Sequence, residues 1–272
     1  MVYTPGSKNR QKHQLLPATQ SACIDQTMPK PDSASPKPVT PRVRPEITRL
    51  PPLTPWRKAA RWVIVRLLRL LVRLLIRVHS TGFENLSPDG PVLVVSNHLG
   101  DADLVIGLVF AARPVEVVSK ADFYDFPVLG WLMETYGVIW VHRGRPDRRA
   151  LHAVLDGLAE GRVIAIAPEG RESVSGALEE GTPGAAYLAL KSGAPILPVT
   201  FTGTENRNVY GNLKRLRRAE ISLTIGKPFH LDQTGNWRQA VDRGTQQIML
   251  TLAEQLPPEY RGVYLKDMDL EV

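Results

Sequence analysis

The chain has 272 residues, 43 % of them hydrophobic and 22 % charged, which is ordinary for a globular protein with one large domain or a domain plus appendages. Its net charge of +7 is unevenly distributed: residues 1–82 hold 15 Lys/Arg against 3 acids, and the remainder holds 19 against 24. A mildly acidic main domain argues against nucleic-acid binding across it, while the basic arm is expected to meet something anionic.

Residues 1–55 carry 11 of the 23 prolines and few large apolar groups. Such a composition buries too little surface to offset the entropy of ordering, so a disordered tail is expected. Its Pro-Lys-Pro and Arg-Pro pieces read as a plain tether or as a partner-binding motif. Cys23 is the only cysteine, which leaves no internal disulfide or cysteine metal site and suits a reducing cytoplasm. The first 50 residues contain no apolar run of the secretory kind, so no signal peptide is expected.

Residues 56–80 are expected to form an amphipathic helix. Arg66, Arg69, Arg73 and Arg77 recur every three or four residues, and Leu67, Leu70, Leu71, Leu74, Leu75 and Val78 face away from them. A membrane-spanning helix would bury several guanidiniums at about 2.5–3.5 kcal/mol each. The segment therefore reads as lying in the membrane interface, with Trp56 and Trp62 at headgroup depth. The other reading is a helix packed on the core with solvated arginines.

From residue 81 to 272 a single α/β domain is expected. Strand-like runs at 91–96, 115–119, 137–142, 162–167, 195–201 and 219–225 alternate with helix-like stretches at 103–112, 122–133, 147–160, 180–192 and 237–256. That alternation predicts a mixed, largely parallel sheet flanked by helices. Residues 256–272 are expected to wrap the surface.

The candidate chemistry centres on Val94-Val-Ser-Asn-His-Leu-Gly-Asp-Ala-Asp103. A β-branched run ends at Ser96-Asn97, and Asp101 stands where a helix N-cap is expected. This puts His98 at the C-terminal edge of a strand, where open α/β sheets bind ligands, and Asp103 in the first turn of the next helix. On one helix the two side chains would diverge by about 140°; across a turn they converge. A histidine backed by a carboxylate is a standard general base. The same spacing recurs at His142 and Asp147, but among Arg143, Arg145 and Pro146, where cations oppose imidazole protonation.

Four more pieces fall at the expected sheet edge. Lys120 either holds an anion or is solvated. Arg143 has a donor fork that suits a phosphate, or else makes a structural ion pair. The stretch Ala167-Pro-Glu-Gly-Arg-Glu-Ser173 forms either an anion nest of backbone N–H groups at Gly170 or an ordinary turn. Pro198 breaks a strand and shapes an apolar wall or marks an edge.

In order and spacing these pieces resemble the glycerolipid acyltransferase family, the 1-acylglycerol-3-phosphate acyltransferases and their relatives, over about residues 80–230. Residues 97–103 resemble Asn-His-x-Ser-x-x-Asp and residues 137–143 resemble Gly-x-x-Phe-x-x-Arg. Residues 167–173 resemble Phe-Pro-Glu-Gly-Thr-Arg-Ser, and residues 196–199 resemble the fourth block. The resemblance implies transfer of a fatty acyl group from acyl-CoA or acyl-carrier protein to a hydroxyl of a glycerolipid such as lysophosphatidic acid, without a metal or other cofactor. It implies His98 as base and Asp103 as its orienting partner. Asn97, Lys120, Arg143, Glu169, Gly170 and Arg171 fall at acceptor-binding positions. The implied location is peripheral or monotopic, on the cytoplasmic face of the cell membrane. A hydroxyl needs a base to attack at neutral pH, while a thioester needs no metal, which agrees with that implication.

Three departures stand out: Gly100 for the usual Ser, His142 where Asp is frequent, and Glu172 where the third block has Arg, with Arg171 one position early. They leave the acceptor headgroup open. Two other readings are a non-catalytic lipid-binding or membrane-tethering protein, and a metal-dependent hydrolase using His98, Asp101, Asp103 and Glu169.

Overall fold

The computed structural model describes residues 44–86, 89–144 and 147–268, all within the compact unit Pro41–Val272. The tail expected over residues 1–55, with Cys23, lies outside the described residues up to position 43. Residues 44–54, expected to belong to that tail, instead pack on the domain: Ile47 and Thr48 are buried, and the backbone of Arg44 bonds His142.

The sheet has seven strands: β1 (Ile76–Thr81), β2 (Val92–Ser96), β3 (Val115–Lys120), β4 (Ile139–Val141), β5 (Val163–Ile166), β6 (Ile196–Thr202) and β7 (Ala219–Ile225). Their order is β1-β7-β6-β2-β5-β3-β4, and every pairing is parallel except β6 with β7. Alternation of side chains sends Leu93 and Val95 into one core and Val92 and Val94 toward the other. The central strand thus buries both faces, which is why its sequence is an unbroken apolar run.

Seven helices of nine or more residues flank the sheet among the described residues: α1 (Pro55–Leu75), α2 (Asp101–Phe110), α3 (Pro127–Tyr136), α4 (Arg148–Ala159), α5 (Gly184–Ser192), α6 (Asn206–Lys214) and α7 (Trp237–Gln255). Helices α4, α5 and α7 cover one face, and α1, α2 and α6 the other, with α3 against Val117 and Trp140. Pro258–Tyr260 and Gly262–Tyr264 continue past α7 as short turns of 3₁₀ helix.

Two elements depart from expectation. The helix expected over 56–80 ends at Leu75, and Ile76–Thr81 enter the sheet beside β7, because β-branched Ile76 and Val78 there alternate with polar residues. Helix α6 was not expected; its apolar pair Val209 and Leu213 is short, and the rest of it is polar.

Helix α1 has three faces. Ile64, Val65, Leu68 and Val72 pack on the domain. Leu67, Leu70, Leu71 and Leu74 lie about 120° around the axis and are each at least half exposed, and Arg66, Arg69 and Arg73 occupy the third face. Arg61 is anchored below: its guanidinium meets both oxygens of buried Glu116 at 2.8 and 2.6 Å and also bonds the carbonyls of Tyr136 and Gly137. No described helix is long and apolar enough to cross a membrane.

Candidate active site at the carboxyl edge of the sheet

Strand β2 ends at Ser96, and the next four residues turn into α2. Asn97 is buried, and its amide bonds both the N–H and the C=O of Phe201, at 2.8 and 2.9 Å. It stitches the turn to β6. His98 follows. Its Nδ1 lies 2.9 Å from Asp103 Oδ2, and that same oxygen accepts the N–H groups of Leu99 (2.7 Å) and Gly100 (3.0 Å). The helix cap is therefore Gly100 with the Asp103 carboxylate. Asp101, expected as the cap, is instead the first helical residue. A side chain at Gly100 would put its Cβ 2.6 Å from the carbonyl of Thr204, which explains the missing Ser in this block.

Three backbone N–H or ring donors hold one carboxylate oxygen, so the imidazole orientation is fixed by the turn itself. With Nδ1 on the carboxylate, Nε2 is the outward nitrogen. Among the described residues it has no hydrogen-bond partner, and 27 % of the side chain is exposed. Burial works to lower the His98 pKa. The Asp103 hydrogen bond and charge, joined by Glu172, outweigh burial and a small opposing effect of Arg143, and hold it above 6.5.

The third block lies directly beside this turn. The N–H of Ser173 donates to the carbonyl of His98 at 2.7 Å. Glu169 is buried and accepts the N–H of His98 (3.3 Å) and of Glu179 (3.0 Å) with its two oxygens. Burial pushes this carboxyl up to about 7 against the pull of those donors. Its contacts are those of a clamp between two loops. Gly170 has φ +73, and its N–H closes a turn on Ala167 at 3.0 Å.

Arg171 stands apart from this group. Its guanidinium pairs with Glu179 at 2.5 Å, and 63 % of the side chain is exposed. Glu172 takes the inner place, where Asn206 of α6 donates to it at 3.0 Å and accepts the N–H of Asp101 at 3.0 Å. Tyr210, one turn along α6, donates to Asp101 at 2.8 Å. Asn206 and Tyr210 were not among the sequence candidates, because the polar helix that carries them gives little periodic signal.

Lys120 closes β3 and pairs with Asp122; Arg143 follows β4 and is exposed, with Asp122 as a charge partner. Burial lowers the Arg143 pKa, partly offset by Asp122. His98 thus feels both a cation, Arg143, and an acid, Glu172, besides its own partner Asp103. Among the described residues no group of three or more His, Cys, Asp or Glu side chains is arranged to hold a metal ion. The hydrolase alternative would bring His98, Asp101, Asp103 and Glu169 to one ion, and the described residues show no such grouping.

This sheet edge, with a His–Asp pair on the turn after a central strand, defines an α/β class that comparison with known proteins identifies. Residues 77–202 match the family described as Acyltransferase. A 1-acyl-sn-glycerol-3-phosphate acyltransferase of Chlamydomonas reinhardtii is 31 % identical over 189 residues, which cover 68 % of this chain and 55 % of the algal one. A lyso-ornithine lipid O-acyltransferase of Pseudomonas aeruginosa is 33 % identical over 152 residues, 55 % of this chain and 56 % of its own. The crystal structure of the 1-acyl-sn-glycerophosphate acyltransferase of Thermotoga maritima shares the fold, with a TM-score of 0.57 and 22 % identity over 75 % of this chain and 84 % of that one. The chain spans about half the length of the first two of these relatives. It belongs to the glycerolipid acyltransferase family.

Proposed function

We propose that this protein transfers a fatty acyl group from an acyl thioester, acyl-CoA or acyl-carrier protein, to a hydroxyl of a lysoglycerolipid. The observation that carries this reading is the 2.9 Å contact of His98 Nδ1 with Asp103, which leaves Nε2 as the outward base. The acceptor hydroxyl gives its proton to Nε2 as its oxygen attacks the thioester carbonyl. The tetrahedral intermediate collapses, the C–S bond breaks, and the leaving thiolate takes the proton back from Nε2. Asp103 keeps the proton on Nδ1 throughout and stabilises the imidazolium between the two transfers.

Relatives named for both a phosphate acceptor and an ornithine lipid acceptor leave the headgroup to this chain's own charges. Arg143, whose charge reaches His98, and Lys120, which shares Asp122 with it, offer cations for an anionic group such as the phosphate of lysophosphatidic acid. Glu172, which also acts on His98, offers the opposite sign and suits an acceptor that also carries an ammonium.

We place this enzyme at the cytoplasmic face of the cell membrane, peripheral or monotopic, and α1 supports the membrane contact itself. Its leucine stripe is separate from its packed face and stays exposed, with Trp56 in line with it at 75 % exposure, while Trp62 lies on the arginine face, its ring centre 5.1 Å from the Arg66 guanidinium. Val128 and Trp131 of α3 extend the apolar surface. Such a stripe flanked by arginines matches an interfacial helix.

The test is thiol release from acyl-CoA by the purified protein, with lysophosphatidic acid and an amine-bearing lysolipid as acceptors. Acceptor-dependent release that His98→Ala lowers by about 10²–10⁴-fold is expected. Full activity in His98→Ala sinks the mechanism, and lipid binding without release in every acceptor leaves the non-catalytic reading instead.

A further inference from the structure

Residues 214–218, Lys-Arg-Leu-Arg-Arg, form the turn from α6 into β7, and all five are exposed. Leu216 is 97 % exposed and has φ +53, the only positive value for a non-glycine among the described residues. Two unfavourable features meet here. A left-handed backbone suits Gly or Asn far better than leucine, and a solvated leucine leaves its whole apolar surface in water. Strain of this sort persists where surrounding contacts enforce it, and it concentrates at functional positions.

The turn is held in place. The N–H groups of Arg215 and Arg217 both donate to the Asn212 carbonyl at 2.9 Å, and that of Leu216 donates to Leu213 at 3.0 Å. Arg218 reaches across to α1, donating to the carbonyls of Arg73 (2.8 Å) and Ile76 (2.6 Å). The turn is thereby tied to the end of the exposed leucine stripe. Because β7 runs antiparallel to β6, the turn also lies at the sheet edge that carries His98.

We infer that residues 214–218 are a second membrane-contacting element, with Leu216 entering the acyl layer and Lys214, Arg215 and Arg217 seated on anionic headgroups. This rests on the membrane-bound reading above. A bilayer offers an anionic layer over an apolar one, which is the order in which this turn presents its groups. Continuity with α1 favours the bilayer over an acidic carrier protein, since one surface then serves both elements. Each basic side chain near an anionic surface strengthens binding by roughly fivefold.

The experiment is sedimentation of the full chain with vesicles of phosphatidylcholine alone or with one quarter phosphatidylglycerol. Arg215→Gln with Arg217→Gln is expected to weaken binding to the anionic vesicles by at least about tenfold and to leave neutral-vesicle binding nearly unchanged. Leu216→Gly is expected to weaken binding to both vesicles while raising the melting temperature, because glycine accepts φ +53 without strain. A purely structural turn would show the stabilisation without the loss of binding, and that result overturns the proposal. Leu70→Gln with Leu74→Gln on α1 is the reference: if it weakens binding and the turn variants do not, the membrane reading stands and the turn has no part in it. Absence of wild-type binding to either vesicle removes both. Turn variants that bind vesicles normally but raise KM for an acyl-carrier-protein donor would reassign the turn to the donor and reject the membrane role.

Discussion

Nε2 of His142 accepts the backbone N–H of Arg44 at 3.0 Å, while its Nδ1 lies 3.0 Å from Asp147. The chain contains two His–Asp pairs at the same spacing, and this contact separates their roles. A nitrogen that accepts from the main chain of a segment packed over it cannot take a proton from a substrate. The His142 pair ties residues 44–48 to the start of α4, where Asp147 is also the N-cap. His142→Ala is expected to lower stability by about 1–3 kcal/mol, through the orphaned Arg44 N–H and the lost bond to Asp147. That corresponds to roughly 2–4 °C in Tm per kcal/mol. Thiol release per folded molecule should be unchanged. Thermal melts and kinetics on His142→Ala and His98→Ala together should give opposite patterns.

The pH profile follows from the charges around His98. The base works as neutral imidazole, and its pKa is raised above 6.5, so kcat/KM is expected to rise with pH through a midpoint above 6.5. Glu172 contributes to that elevation, so Glu172→Gln should move the acid limb to lower pH. Arg143 acts in the opposite sense, and Arg143→Gln should move it to higher pH, along with a rise in KM for a phosphate acceptor. Limbs that stay fixed in both variants would show that another group titrates.

Glu169 makes a prediction about stability. Its folded pKa of about 7 lies above the ordinary 4.5, so the folded state binds the proton more tightly. Its contribution is fully present below 4.5 and is lost as pH rises through about 7. Melting temperature measured from pH 4 to 8 should therefore carry a downward component over that window. In Glu169→Gln that component disappears, although one of the two N–H partners loses its acceptor and overall stability falls. An unchanged pH slope in the variant would assign the effect elsewhere.

The Arg61–Glu116 pair anchors α1, and Arg162 also reaches Glu116 at 3.2 Å. The two sides are consequently unequal. Glu116→Leu leaves two guanidiniums facing a buried apolar site and should cost about 3–5 kcal/mol. Arg61→Met leaves Glu116 paired with Arg162 and should cost less, despite the lost bonds to Tyr136 and Gly137. Urea denaturation of both variants gives the order directly, and equal losses would contradict it.

Much of the sheet was legible because period and residue type act locally. The run Ala219–Ile225 alternates buried and exposed residues and is a strand over those same residues, and the 237–256 helix differs by one position. The His98–Asp103 pair was legible for a related reason: a five-residue span across a strand-to-helix turn leaves few other places for the two side chains to meet. Arg61 shows the limit. As one arginine among many on α1 it carries no local mark of burial, and only the arrival of Glu116 from β3 makes burying it tolerable.

The roles at the site divide in the same way. Local chain chemistry, through turn-formers, an apolar strand and an acid in a first helical turn, determined the position of the His–Asp pair and the α/β alternation around it. Tertiary structure decided which of two such pairs keeps an open nitrogen, because that depends on Arg44 being brought across 98 positions to cover His142. It also decided that Glu172, held by Asn206, is the third-block charge beside His98, while Arg171 is drawn outward by Glu179. These are contacts between segments far apart in the chain, made only when loops from different strands close on one sheet edge, and no local pattern encodes them.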